Sequence, residues 1–116
     1  MKRVEAIISA EKVSAVNEAL RNAGVGGATI LDAKGRGKGE KPRIQTWKGT
    51  GGLSAAEFSV RATVVAVVND PDVEKVITAI LDTTSTGSAG DGKIFVSNVN
   101  EAIDIGTRKR GQTAVG

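Results

Sequence analysis

Two short segments combine glycine with positive charge, and both could bind an anion. They are residues 86–93, TGSAGDGK, and residues 35–39, GRGKG. Glycine lets backbone N–H groups approach an anion closely, and a lysine adds a point charge suited to phosphate. Neither segment has the spacing of a Walker phosphate loop or of a dinucleotide fingerprint. Each alone is also typical of a turn or a basic linker, but together they favour a shared anion site.

The composition excludes several kinds of chemistry. The chain has 116 residues, which predicts one domain, and it contains neither cysteine nor histidine. Disulfides, thiolate or imidazole catalysis and a zinc site are therefore not expected, and we predict no catalytic residues and no metal. The first five residues, MKRVE, place a carboxylate in the first apolar stretch. This pattern is not that of a signal peptide and favours a cytoplasmic protein.

Apolar periodicity divides the chain into six elements. Alternating or continuous apolar residues predict strands at 3–9, 28–34, 58–68 and 93–99, and a helical period predicts helices at 13–23 and 73–81. Ser9 and Asp70 are the predicted helix N-caps, with Pro71 in the first helical position and Gly24 as the stop of the first helix. Residues 35–57 show no period, and a connection of that length in a small domain is usually functional. The tail from residue 100 is short and polar.

The order βαββαβ, with two halves of equal size, predicts an α+β fold of the ferredoxin-like type. Such a fold has a four-stranded antiparallel sheet with both helices on one face. Ile7 places an apolar side chain on the second face of the first strand, and residues 64–68 are apolar on both faces of theirs. We therefore expect copies of the chain to cover the other face of the sheet.

Several motifs resemble those of the PII family of nitrogen-regulatory signalling proteins. The most specific is GDGKIFV at residues 90–96, preceded by Thr86-Gly87. The opening residues, the Glu18-Ala19-Leu20 segment, Gly24-Val25 and Lys34-Gly35-x-Gly37 are also similar. The resemblance covers nearly the whole chain apart from the long loop and the tail. It implies a single domain over residues 1–116, with a T-loop at 35–57, a phosphate-binding loop at 85–92 and a C-terminal tail at 100–116.

The resemblance implies a non-catalytic homotrimer that binds an adenine nucleotide in the clefts between subunits. Its T-loop would dock onto a partner protein, a transporter or an enzyme, with Trp47 as an anchor. A small anionic effector would lie near Arg61, Lys38 and Gly39, because the family has an effector-binding lysine at the Arg61 position. The nucleotide-binding positions implied are Ile7, Thr29, Gly35, Arg36, Gly37, Lys38, Val67, Gly90, Asp91, Gly92, Lys93 and Arg108.

Departures from the family pattern point to an altered ligand preference. Gly39 stands where the family has a glutamine that helps to bind magnesium and 2-oxoglutarate. Asp104 and Gly106 stand where it has two arginines for the phosphates, although Arg108 could substitute. A carboxylate repels a terminal phosphate, so we expect ADP or AMP to bind more tightly than ATP. The chain has no tyrosine, so uridylylation or adenylylation of a T-loop tyrosine is impossible.

The altered loop and the Ser85-Thr86-Gly87-Ser88 segment resemble a carboxysome-associated branch of the family that responds to bicarbonate. Three alternatives stay open. One is a nitrogen-status sensor that binds ATP and 2-oxoglutarate, and another is a slow nucleotide hydrolase. The third is a nucleic-acid-binding module, which the basic loop favours. Against the third, Phe58 and Phe95 are expected in the core, which leaves no aromatic residue on the strands for stacking.

Overall fold

A computed structural model describes residues 1–36 and 59–115 of the chain. Its strands are β1 (Lys2–Ser9), β2 (Thr29–Gly35), β3 (Ser59–Val68) and β4 (Gly92–Asn98), and its helices are α1 (Val13–Asn22) and α2 (Val73–Thr84). All six predicted elements are confirmed. The second helix continues past the predicted end at residue 81 to Thr84, which is buried on the same face as Val76 and Ile80. The Thr83 and Thr84 hydroxyls are satisfied within the helix, because they donate to the carbonyls of Ala79 and Ile80, each at 2.7 Å.

The four strands form one antiparallel sheet in the order β2-β3-β1-β4. Every neighbouring pair is antiparallel, and both helices pack on the same face, so the ferredoxin-like α+β fold is confirmed. The register places Ile7 of β1 opposite Thr63 of β3 and Lys93 of β4. Ala33 of β2 lies opposite Arg61. One end of the sheet thus gathers residues from all four strands.

The core lies between the sheet and the helices, and within residues 1–36 and 59–115 it contains no aromatic side chain. Its positions alternate along β1 and β3 and recur at helical spacing along α1 and α2. The buried residues of this cluster are Val4, Ala6, Ile8, Val16, Leu20, Val64, Ala66, Val68, Val76 and Ile80. With one tryptophan, two phenylalanines and no tyrosine, the chain must build its core mainly from aliphatic side chains. The alternating and the helical periods predict which of these side chains are buried.

The opposite face of the sheet, here called the open face, is not covered by either helix. Ile7, Val65 and Val67 are half-buried on it, while Leu31 and Phe95 remain 54% and 53% exposed. The apolar character predicted for this face is confirmed, and its burial against other copies stays a prediction. The prediction that Phe95 belongs to the core is wrong, because its pairing with Glu5 directs it to the open face.

The N-caps assigned to the two helices from the sequence differ from those in the structure. A 3₁₀ turn precedes each helix, at Ala10–Lys12 and Asp70–Asp72, so neither Ser9 nor Asp70 caps an α-helix. The Asp70 carboxylate instead accepts a hydrogen bond from the amino terminus of Met1 at 2.9 Å, and this bond lowers the pKa of Asp70. The predicted stop at Gly24 is confirmed: its φ is +85°, in the left-handed region that glycine adopts without strain.

The tail is a hairpin rather than a loose polar end. A β-bridge joins Ile103 to Arg110, and the Gly111 amide donates to the Ala102 carbonyl at 2.9 Å. At the tip, the Asp104 carboxylate accepts hydrogen bonds from the amides of Gly106 and Thr107, at 2.9 and 3.1 Å. Such a side-chain bond to the following backbone is a common way for aspartate to shape a turn.

Candidate functional site

Several of the predicted anion-binding residues meet in a cavity at one end of the open face, here called the cationic cavity. Its volume is about 210 Å³, and its lining is Ile7, Gly35, Arg36, Arg61, Ala89, Gly92, Lys93 and Phe95. The last residues of β1 and β2 and the first residues of β3 and β4 lie together at this end of the sheet. Three of the eight are cations and none is a carboxylate. Because the cavity concentrates positive charge, it suits an anionic ligand.

Arg61 is held in one orientation at this cavity. Its Nε donates to the Ser59 hydroxyl at 2.9 Å, and its side chain crosses Gly35 so closely that a Cβ there would lie 3.2 Å from Arg61 Cγ. Its Nη1 is buried and has no hydrogen-bond partner among residues 1–36 and 59–115. A buried donor without a partner is costly, so this nitrogen is suited to binding an oxyanion.

The loop before β4 is organised by Asp91. Its carboxylate accepts hydrogen bonds from the hydroxyl and the amide of Thr86, both at 2.6 Å, and from the Ser88 amide at 3.2 Å. These bonds, the Thr86 hydroxyl first, lower the pKa of Asp91. The Gly90 amide donates to the Ser88 hydroxyl at 3.2 Å. Asp91 therefore points into its own loop, and its side chain is occupied in holding the loop's shape.

The lowered pKa of Asp91 predicts a pH dependence. Because the folded pKa lies below the unfolded value of about 3.9, the stabilisation is present above that value and is lost as the pH falls through the folded pKa. Asp91→Asn should therefore weaken the loop at neutral pH and reduce the loss of stability below about pH 4. Denaturant unfolding from pH 7 to pH 2 measures both effects. Asp82→Asn, on the exposed side of α2, removes the same charge and should leave the profile unchanged. An unaltered profile for Asp91→Asn would disprove the role of the carboxylate.

Gly92 joins the loop to β4 at a very close approach to β1. Its φ is +122°, and a Cβ on it would lie 2.0 Å from the carbonyl oxygen of Ile7. No other residue type fits that position without movement of a strand. The glycine is thus required by packing at the floor of the cationic cavity.

A second cavity, here called the apolar cavity, lies at the opposite end of the open face. It is larger, about 680 Å³, and is lined by Gly26, Gly27, Ala28, Thr29, Val65, Val67, Val99, Glu101, Ala102, Ile103, Ala114 and Val115. The tail hairpin forms one of its walls. Thr29 and Val67, which were predicted to share a site between subunits with Lys93, line this cavity. Val67 lies six positions after Arg61 on β3, a distance of about 20 Å along a strand.

Comparison with known proteins identifies the family. The family model for nitrogen regulatory protein P-II matches residues 1–109. The chain belongs to the P-II family. A nitrogen regulatory protein P-II of Rhizobium meliloti is 41% identical over 115 residues, covering 99% of this chain and 100% of the relative. That of Bradyrhizobium diazoefficiens is 40% identical with the same coverage. Nitrogen regulatory protein P-II 2 of Methanothermobacter thermautotrophicus is 36% identical over 99% of this chain and 97% of its own length.

Membership confirms the resemblance seen in the P-II motifs, and the fold explains part of the predicted site. Ile7, Gly35, Arg36, Gly92 and Lys93 line one cavity together with Arg61. Gly90 and Asp91 lie in the adjoining loop. Arg108, with φ +63°, lies in the turn of the tail hairpin. The remaining predicted positions, Gly37, Lys38, Gly39 and Trp47, and all but the first two residues of the T-loop, lie outside the described residues.

Sequence reasoning missed several residues that line the two cavities. Ala89 and Phe95 belong to the cationic cavity, and Glu101 and Ile103 to the apolar one. The signal for Phe95 was available, because alternate residues of a strand share a face and Lys93 is two positions away. The hairpin that positions Glu101 had no comparable signal.

Two further observations limit the chemistry of the described residues. Across residues 1–36 and 59–115, no three acidic side chains come together in a way that could hold a metal ion. No helix in that part of the chain is long and apolar enough to cross a membrane.

Proposed function

We propose that this P-II family protein is a regulatory homotrimer that binds ADP or AMP in preference to ATP in the clefts between its subunits. A small anion such as bicarbonate binds beside Arg61. The T-loop then docks onto a cytoplasmic partner, a transporter or an enzyme, and no reaction is catalysed. The observation that carries this proposal is the pair of cavities of different chemistry at opposite ends of the open face.

The two cavities match the two ends of a nucleotide. Phosphates suit the cationic cavity, and a flat, largely apolar base suits the apolar cavity. Within one chain, Arg61 and Val67, at the far ends of the two cavities, are about 20 Å apart along β3, which is more than a nucleoside diphosphate spans. A nucleotide that fills both kinds of cavity is therefore proposed to lie where the cationic cavity of one chain meets the apolar cavity of another.

A ring of identical chains makes that contact once for each subunit. Head-to-tail contacts between unlike surfaces close into rings when the rotation allows it, and burial of the open face would provide the driving force. Membership of the P-II family favours three subunits. Light scattering should give a mass three times the 11.9 kDa of the chain. A monomer at micromolar concentration would remove the shared cleft.

The preference for fewer phosphates follows from the tail hairpin. In such a ring the hairpin beside one apolar cavity approaches the neighbouring cationic cavity. It brings the Asp104 carboxylate toward the terminal phosphate, although two amides of its own turn already bind that carboxylate. A third phosphate meets a negative charge there and gains little.

Asp104→Arg should therefore improve ATP binding selectively. We expect the ratio of ATP to ADP affinity to rise about tenfold, because a repulsive contact becomes a charge-assisted hydrogen bond. Titration calorimetry with both nucleotides measures the ratio, and damage to the turn alone would change both affinities together. If the wild-type protein already binds ATP tenfold more tightly than ADP, the preference is wrong and a cation of the tail reaches the phosphates.

The proposal for a small anion depends on Arg61. Its guanidinium is planar, it is fixed by Ser59 and Gly35, and it retains a buried nitrogen without a partner in the described part of the chain. Such a group binds planar oxyanions through two parallel hydrogen bonds. Bicarbonate and carboxylates share this geometry.

Calorimetry of the pure protein tests the whole proposal. ATP, ADP, AMP, 2-oxoglutarate and bicarbonate are titrated singly and in pairs. We expect ADP and AMP to bind more tightly than ATP, and bicarbonate to bind better with ADP present. Tight 2-oxoglutarate binding with ATP would instead favour a nitrogen-status sensor, in keeping with the names of the relatives. Failure of every nucleotide to bind would contradict the proposal.

A further inference from the structure

The apolar cavity contains one ionisable side chain in its described lining, Glu101. Arg110, on the other strand of the tail hairpin, orients this carboxylate: its Nε lies 3.3 Å from Oε1 and its Nη2 lies 3.1 Å from Oε2. The bridge between Ile103 and Arg110 fixes the two strands next to this pair. The Glu101 side chain is about half exposed, at 51%, so its carboxylate is accessible beside the apolar cavity while Arg110 holds it. Such a carboxylate is suited to recognising a hydrogen-bond donor on a ligand.

Glu101 retains acceptor capacity beyond its contact with Arg110. A carboxylate has about four lone-pair positions, and Arg110 uses one on each oxygen. The rest of the cavity offers few other polar side-chain groups, chiefly the Thr29 hydroxyl, while Val65 and Val67 provide an apolar surface for a flat ring. The ligand chemistry that fits is a flat heterocycle with an amino group on its edge.

We infer that Glu101 accepts a hydrogen bond from the exocyclic amine of the base and thereby selects adenine over hypoxanthine. This inference rests on the proposed nucleotide function and names the residue that reads the base. Adenine and hypoxanthine have nearly the same shape, but hypoxanthine carries a carbonyl oxygen where adenine has the amine. That oxygen would face the carboxylate, and the two acceptors would repel each other without a proton between them. Arg110 acts as a positioning residue.

Affinities for ADP and for IDP, measured by calorimetry on the full chain, test the inference. We expect the wild-type protein to bind ADP about tenfold to a hundredfold more tightly than IDP. Glu101→Ala should reduce the ADP to IDP ratio to about one by weakening ADP alone. Glu101→Gln should retain part of the ratio, because its amide oxygen still accepts. Glu18→Ala on the exposed side of α1 removes the same charge and should leave the ratio unchanged.

The ratio separates base recognition from a structural role of the hairpin. If Glu101→Ala weakens ADP and IDP by the same factor, or changes neither, the inference is overturned while the nucleotide function stands. A wild-type protein that binds both equally well also overturns it. If the wild-type protein binds neither nucleotide, the proposed function fails first and the inference fails with it.

Discussion

Gly92→Ala should destabilise the fold by about 4 kcal/mol or more, which is at the upper end of single-substitution effects. A Cβ at this position would lie 2.0 Å from the Ile7 carbonyl oxygen, so β1 and β4 must separate there. The φ of +122° adds backbone strain for any L residue. The separation would open the floor of the cationic cavity. Denaturant unfolding and nucleotide titration measure the two consequences.

Two neighbouring glycines provide matched controls for Gly92. Gly87 also has a positive φ, +87°, but a Cβ there has open space within 4 Å, so Gly87→Ala should cost about 1 kcal/mol. The nearest atom to a Cβ on Gly90 is the Ser88 hydroxyl oxygen at 3.6 Å, so Gly90→Ala should be nearly neutral. We therefore expect the order Gly92, Gly87, Gly90. Equal losses at all three positions would show that close approach to Ile7 is not the cause.

Lys93→Ala should weaken ADP, AMP and ATP alike by about tenfold to a hundredfold, the loss of one charge-assisted contact. Lys93 lines the cationic cavity and is paired with Ile7 in the register, so its position is set by the sheet. Stability should change little, because the side chain is exposed on a strand. Calorimetry for the three nucleotides and denaturant unfolding measure both expectations.

Lys12→Ala is the matched control for Lys93, since it removes a cation from the 3₁₀ turn before α1, away from both cavities. It should leave nucleotide affinity unchanged at moderate salt. Nucleotide affinities that stay the same in Lys93→Ala would show that the phosphates bind elsewhere. A loss confined to ATP would mean that Lys93 contacts only the third phosphate.

The strands and helices with periodic apolar residues could be predicted from the sequence, whereas the N-caps of the two helices could not. Val4, Ala6 and Ile8 alternate, and Val16 and Leu20 recur at helical spacing, so the elements that bury them were readable. The caps assigned to Ser9 and Asp70 were wrong, because a 3₁₀ turn, Ala10–Lys12 or Asp70–Asp72, stands before each α-helix. Local side-chain types do not distinguish a 3₁₀ start from an α-helical one.

The site shows the same division. Glycine and lysine at residues 90–93 indicated an anion-binding loop, yet the need for Gly92 comes from a carbonyl on another strand. That need depends on register, which strand patterns alone do not fix between distant segments. The tail gave no sustained alternation, so the hairpin that pairs Glu101 with Arg110 was missed. Both misses involve contacts between residues whose meeting depends on the folded backbone.

The central claim, a nucleotide site shared between two chains, is tested most directly by mixing two defective variants. Lys93→Ala damages the cationic cavity. Gly27→Leu adds a bulky side chain at the lining of the apolar cavity, and a Cβ at Gly27 has no atom within 4 Å in its own chain. When the two are refolded together, each mixed trimer has one cleft with both halves intact. We predict ADP binding of wild-type affinity at about one quarter of the clefts, and binding of that affinity at no cleft of either variant alone. No recovery in verified mixed trimers would contradict the shared site.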